Sequence, residues 1–513
     1  MQAITQKQIN EFWQAHKRFL HTNLTTESQN QLTKNLSQLC SSNLDQAFSL
    51  FKDVELNAIN NLLQYSDRIA ELQQAIITCL KQSGKIYIIG CGASARLAVL
   101  LRRLWEISNP NLIGLVVSIC SGGDISLISS VEQFEDSAEF GIKQLQQQEF
   151  TANDLLIGLS ASGESPFILS SIEYALKNSK HTPWLVCNNS IVDIFKRNLN
   201  SIINSKIKTL ALNVGEMALT GSTRLQATTA MQIAVGIALC PQSSDIQTYI
   251  NQIYTMLRDI KITDLAKITH IESSLLKNQE YILYTTNENL LGLSMLSDIT
   301  ERAPTFNITQ FENYNSEAAR LSEDKKAYSP FYLCLTNTLN VDEAWRNLLG
   351  TPPICLNWEA FSETRTNYIQ GFDISKNSPR AKNTSLPNKQ YHENWIIDKD
   401  ILTISLEDKS CSFEIPTDDL SATILFKMLL NSHSTLMFGV LGAYEGNLML
   451  SLKPSNFKLM DRAIRYTQLI LKNNYKLNIA YDKVAAILFE EINQLEPNQS
   501  IVMKVVQKIK THI

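Results

Sequence analysis

The feature that most constrains this chain occurs twice. A short, β-branched apolar run ends in a glycine- and serine-rich loop that opens straight into a helical periodicity. KIYIIG (85–90) leads into GCGASARL (90–97), and DLLIGLS (154–160) leads into SASGESPF (160–167). Apolar runs this short read as strands buried on both faces. After the first, Leu97, Leu100, Leu101, Leu104 and Trp105 keep the spacing of one helix face, and 167–177 (FILSSIEYALK) behaves similarly. LIGLVVSIC (112–120), PWLVCNN (183–189) and IKTLALNV (207–214) are further predicted strands. Strands alternating with helices predict an α/β fold whose parallel sheet is covered on both sides.

The pattern restarts near residue 280. YILYTT, SPFYLCLT (329–336) and PPICLNW (352–358) read as strands, and LLGLSMLSDITERA (290–303) and NVDEAWRNLLG (340–350) as the helices between them. Residues 1–80 read as helical. The stretch 360–398, polar and broken by Pro and Gly, predicts a long surface loop. The last hundred residues return to helices, including 456–474 and 480–494. A chain of 513 residues accommodates this as four parts: a helical segment over 1–80, α/β units over 81–250 and 251–430, and a helical cap over 431–513.

Composition narrows the function. A net charge of -4 argues against a general attraction to nucleic acid or anionic membrane. No apolar run is long enough to span a bilayer, and MQAITQKQINEFWQAHKRF has no apolar core of a signal peptide. Nine scattered cysteines without a CxxC pair fit reduced thiols in a cytoplasm. Seven dispersed histidines give a metal site little support, and nothing calls for a cofactor.

Two loops could hold an anion. In GCGASARL, Gly92 lets backbone approach a phosphate, Ser94 adds a hydroxyl, and the helix start supplies free N–H groups. In SASGESPF, Ser160, Ser162, Gly163 and Ser165 offer a similar set. Either could instead be a turn that caps a helix. Both, however, leave the carboxyl ends of parallel strands, where open α/β sheets bind ligands. LTGSTRL (219–225) adds Thr220, Ser222 and Arg224 at another helix start, although Arg224 reads equally as a surface arginine. Glu132, Glu135, Asp136 and Glu139 have helical spacing, which more often marks a solvated face than an acid or base.

Six ordered segments resemble the N-acetylmuramic acid 6-phosphate etherase family, including its animal branch, the glucokinase regulatory proteins. TTESQNQLTKNL (25–36) keeps Thr26, Glu27, Asn30, Thr33 and Leu36 of an amino-terminal signature. GCGASARL is similar to GxGTSGRL. SGGDISLISSVEQFEDSAEFG (121–141) is especially like the regulatory branch. SASGESPF, LTGSTRL and GNLMLSLKPSNFKLMDRAIR (446–465) follow in order. The etherases have one sugar-isomerase (SIS) domain per chain. About two hundred residues separate the last two segments in this sequence, so the resemblance implies two SIS domains in tandem with a helical cap, an intramolecular pseudo-dimer. LSDITERAPTF (296–306) supports a second copy, since it is similar to LDASECPPTF in the etherases.

The resemblance also implies a division between the copies. The first keeps the phosphate loops but has Leu104 where the etherases carry a catalytic glutamate. The second keeps that glutamate as Glu301 but has YTTNENL in place of a glycine loop. The etherases' other acid is matched by Glu135, the one catalytic candidate in the first copy. Glu106 lies two residues off on the helix. Ala93, Ala95, Met217, Gln226 and Ala443 also depart from the family pattern. A lost catalytic position beside retained loops implies a non-catalytic sugar-phosphate-binding regulator. Its phosphate would lie on Ser94, Ser160, Ser162 and Ser165, with Thr220 and Ser222 nearby, under a cap around 434–465. A sugar kinase partner is implied by the resemblance alone. The alternatives are an etherase that releases lactate and N-acetylglucosamine 6-phosphate, an aldose–ketose isomerase, and an interaction protein with dead sites.

Overall fold

The computed structural model describes every residue except 1–4, 20–23, 130–133, 192–205, 241–244, 315–327, 362–363, 384–385, 455, 497–498 and 512–513. Four helices come first: α1 (Gln6–Phe19), α2 (Leu36–Ser42), α3 (Leu44–Asn60) and α4 (Ser66–Lys81). The first sheet then forms from β1 (Ile86–Gly90), β2 (Val116–Cys120), β3 (Leu155–Leu159), β4 (Trp184–Cys187) and β5 (Lys208–Ala211), interleaved with α5 (Ala93–Ser108), α6 (Ala138–Gln147) and α7 (Pro166–Asn178). All its pairs are parallel, in the order β2-β1-β3-β4-β5. Registers Gly90↔Cys120 and Gly90↔Leu159 make three strands end on one line. The loops after β1, β2 and β3 therefore emerge side by side at the carboxyl edge, where such sheets hold ligands.

Helices α8 (Gln226–Leu239), α9 (Ile246–Asp259) and α10 (Ala266–Lys277) lead to the second sheet. It contains β6 (Tyr281–Thr286), β7 (Phe331–Leu335), β8 (Gln390–Asp398), β9 (Ile401–Leu406) and β10 (Lys409–Glu414), in the order β10-β9-β8-β6-β7. β6 pairs in parallel with β7 and β8, whereas β8, β9 and β10 form antiparallel hairpins. Helices α11 (Asn289–Phe306), α12 (Val341–Leu349) and the short α13 (Thr366–Ile369) accompany it. The chain continues through α14 (Asp419–Val440), α15 (Phe457–Tyr475), α16 (Tyr481–Glu491) and α17 (Ile501–Thr511). The architecture is α/β, with two sheet units and helical segments at both ends.

Three expectations need correction. The stretch 360–398 is not all surface loop: β8 occupies its end and sits in the middle of the second sheet. Its polar residues concealed it. Gln390 and Glu393 are buried, Gln390 receiving a hydrogen bond from Arg380 (2.8 Å) and Glu393 facing His433. PPICLNW (352–358) forms no strand but runs extended across the first unit. The divisions at 250/251 and 430/431 fall inside α9 and α14, so no break in structure occurs there.

The halves meet through a charged interior. Helices α5 and α11 pack against each other, and the nearly all-buried α8 and α14 lie beside them. Arg224, before α8, donates to Asp298 of α11 at 2.6 Å. Ser434 of α14 donates to the same oxygen at 2.8 Å, and Arg302 donates to the other at 2.8 Å. Burial opposes the Asp298 charge, yet Arg302 and Arg224 keep its carboxyl below the usual range. Further in, His433 lies 2.5 Å from Glu272 and 3.2 Å from Glu393. Burial disfavours its charge too, but Glu393 and Glu272 push its pKa up to about 10.

Candidate functional site

One cleft opens at the carboxyl edge of the first sheet. Three loops of the first half form its floor. Gly92 lines it from the β1 loop at φ +53°, a left-handed conformation that glycine adopts freely. Gly92 caps α5 without a side-chain hydrogen bond, so the helix start is open to a ligand. Ser94, the next side chain in, is buried and lines the cleft.

The β3 loop supplies Ser160, Ser162 and Ser165. The Ser160 and Ser162 hydroxyls accept from the backbone N–H of Gly163 (3.1 Å) and Glu164 (3.3 Å), which fixes the loop. Gly163, at φ +81°, makes this turn but is not among the lining residues. Asn189 braces the loop from β4's end. It accepts from Thr26 N (3.1 Å) and donates to the Thr26 hydroxyl (3.0 Å), so the amino-terminal TTES segment is bound to the site.

Ser222 lines the cleft, but Thr220 does not. Its hydroxyl donates to Asn447 (3.1 Å), and its carbonyl accepts from Tyr466 (2.6 Å). Thr220 thus fastens the cap. Arg224 reaches the cleft wall as a buried ion pair rather than a surface group.

Two carboxylates from different halves face this cleft. Glu135 stands on the turn before α6, not on a solvated helix face. It accepts from Lys458 (3.2 Å) and at longer range from Asn456 (3.4 Å). Its neighbour Asp136 is pushed up to about 7, first by burial and then by the Glu135 charge. Glu139 lies in the exposed first turn of α6, and Glu132 lies outside the described residues. Glu301 enters from α11 of the second half and pairs with the buried guanidinium of Arg96. Leu104 is buried in α5 and takes no part.

The cap closes the cleft from above. Asn456 caps α15, and the next turns place Lys458 and Arg462 over the opening. Arg462 donates to Glu27 at 2.6 Å, and Glu27 also faces the cleft. Arg96, Arg224, Lys458 and Arg462 line it against three carboxylates, Glu27, Glu135 and Glu301. The open helix start and the serine hydroxyls of the loops suit a phosphate dianion. Lys458, Arg462 and Arg96 lie within the segments that carry the family resemblance, and as isolated cations they carry no mark of a site in the sequence. The usable signal was Lys458 and Arg462 at i, i+4 just after the Asn456 cap.

Among the described residues, Glu272, Glu393 and His433 have the composition of a metal site. The close His433–Glu272 contact and the raised His433 pKa make the group an internal ion cluster. Also among the described residues, no helix is long and apolar enough to cross a membrane.

Known proteins are similar to parts of this chain. The profile of the glucokinase regulatory protein N-terminal SIS domain matches residues 68–176. An N-acetylmuramic acid 6-phosphate etherase of Enterobacter sp. (strain 638) is 31% identical over 214 residues, 42% of this chain and 68% of that one. The enzyme of that name from Francisella tularensis subsp. holarctica is 28% identical over 271 residues, 52% of this chain and 85% of that one. In structure, the C-terminal domain of glucosamine-fructose-6-phosphate aminotransferase from Francisella tularensis aligns with a TM-score of 0.38 at 13% identity. That alignment covers 77% of this chain and 95% of that one, and at such a score it carries no argument. The curated relatives correct the expectation of a non-catalytic regulator, because they are named as etherases. That expectation rests on Leu104 as a lost catalytic position, whereas Glu301 of the second half lines the cleft.

Proposed function

We propose that this chain, which belongs to the N-acetylmuramic acid 6-phosphate etherase family of SIS proteins, is itself a lyase of that kind, with one composite active site. The reading is carried by one observation: Glu301 of the second half lines the same cleft as Glu135 and the serine loops of the first. The substrate would be N-acetylmuramic acid 6-phosphate, and the products lactate and N-acetylglucosamine 6-phosphate.

The chemistry asks for two proton-transfer groups. The lactyl ether sits at C3, β to the C1 carbonyl of the open-chain sugar. Removal of the C2 proton by a base lets the C3–O bond break, and an acid protonates the departing lactate oxygen. Water then adds at C3 of the unsaturated sugar, its hydroxyl going to C3 and a proton returning to C2. Glu135 and Glu301 supply a pair of carboxyl groups for these transfers, each beside a cation, Lys458 and Arg96. The phosphate would rest on the α5 start and on Ser94, Ser160, Ser162 and Ser165, with Ser222 near and Gly92 permitting the approach. Thr220 and Gly163 support this set without touching the ligand.

Incubating the purified chain with N-acetylmuramic acid 6-phosphate tests the proposal. Lactate release is expected, and its loss in Glu135→Gln by roughly 100-fold or more, as removal of a general acid or base gives. No lactate from the wild-type chain, under conditions where a known etherase turns over, overturns it.

A further inference from the structure

Glu135 stands on a turn that its own half holds weakly. Its carbonyl accepts from Phe167 N at 3.2 Å and from the Ser165 hydroxyl at 3.4 Å. Two long hydrogen bonds to one carbonyl hold the backbone of the turn loosely, while the carboxylate itself accepts from Lys458 and Asn456 of the cap. The residue immediately before it, Phe134, is fully buried, and two of its three ring neighbours come from the other α/β unit. The Trp358 ring stacks on Phe134 at 5.7 Å and 29°. Phe361 lies 4.9 Å from Phe134, and Phe140 of α6 lies 5.2 Å from Trp358. Four rings interlock, two from each half.

The segment that brings Trp358 belongs to no sheet or helix, yet polar bonds fix it to the first half. Asp124 N donates to the Ile354 carbonyl at 2.9 Å, and Ile354 N donates to the Asp124 carboxylate at 2.7 Å. The Trp358 indole donates to Gln147 at 3.0 Å.

We propose that this extended segment of the second half, 354–361, is a clamp that positions Glu135, and that Trp358 is its positioning residue. The proposal rests on the lyase reading above. It gives the second half two roles at the cleft: Glu301 as a reacting group and the clamp as the holder of the other carboxylate. Stacked aromatic pairs stabilise beyond the area that they bury, enough to select one turn conformation. Only Phe134's own peptide link separates the clamped ring from the residue that carries the carboxylate.

Trp358→Ala tests this by two measurements. The kcat for lactate release is expected to fall about 10- to 100-fold, the order that a misplacement of about 1 Å produces. KM should stay within about twofold, because the phosphate loops are untouched, and Trp358→Phe should recover most of the loss by restoring the stack. Amide exchange should quicken in 134–141 alone. Trp358→Leu, which keeps apolar volume but not the stack or the indole bond, gives the same reading if the alanine variant does not fold. Wild-type kcat in the alanine and leucine variants, or unchanged exchange across 134–141 in them, overturns the clamp. A wild-type chain that releases no lactate overturns the lyase reading alone, and the exchange comparison still decides the clamp.

Discussion

The two α/β units answer the same geometric problem in opposite ways. In the first, α5 begins at Gly92 with no side-chain cap, and its N–H groups face an open cleft. In the second, α11 begins at Glu288, whose carboxylate accepts from Leu290 N (3.0 Å) and Leu291 N (2.6 Å). The second unit thus carries its own anion where the first leaves room for one. A mid-helix position shows the reverse. On the family motif, α5 carries the buried Leu104 where α11 carries Glu301, which reaches across the α5–α11 contact. Each site in such a pair needs loops from one unit and a carboxylate from the other. Under the lyase reading proposed above, absent loops in the second unit and an absent carboxylate in the first leave one complete site. The same two losses within one unit would have left none.

The comparison breaks if Glu301 is dispensable. Glu301→Gln should cut lactate release about 10²- to 10⁴-fold, measured by coupled lactate assay. Sugar-phosphate binding, read as thermal stabilisation by N-acetylglucosamine 6-phosphate, should persist. Activity near wild type would mean that the second unit contributes no chemistry. Next in size is the joint between the units. Asp298→Asn leaves the Arg224 and Arg302 charges buried with less compensation, and denaturant unfolding should show a loss of about 3–5 kcal/mol. A loss below about 1 kcal/mol would mark the joint as incidental to holding the units together. Smallest is the built-in anion. Glu288→Ala uncaps α11 and should cost about 0.5–2 kcal/mol, with lactate release intact. A larger fall in activity than in stability would show that this end of α11 is also set for the cleft.

The first unit could be read directly, because β1 and β3 are buried apolar runs that lead into glycine- and serine-rich loops. Ser94, Ser160, Ser162, Ser165, Ser222 and Gly92 all lie where such loops place them. The second sheet was half hidden. β8 carries Gln390 and Glu393 inward, and partners distant in sequence, Arg380 and His433, make that burial tolerable. Periodicity cannot register partners of that kind. Glu301 was visible as a residue but not as a member of the cleft, since its reach depends on how α5 and α11 cross. Trp358 had no signal at all. It looked like the end of a strand, and only the fold brings it against Phe134, more than two hundred residues earlier.

The contact between Glu27 and Arg462 has a consequence for the order in which the chain is built. These residues are 435 positions apart and stand on the same cleft. During synthesis, which proceeds at about 5–20 residues per second, the first unit can form its sheet long before α15 exists. Until then its loops lie uncovered and Glu27 has no Arg462 to receive. The last large step of folding is therefore a long loop closure that fastens early and late sequence together. A ligand that prefers the closed cleft favours this step over premature release of a half-made protein. The binding site is in this sense a latch for the whole molecule, set only when nearly all of the described chain is in place.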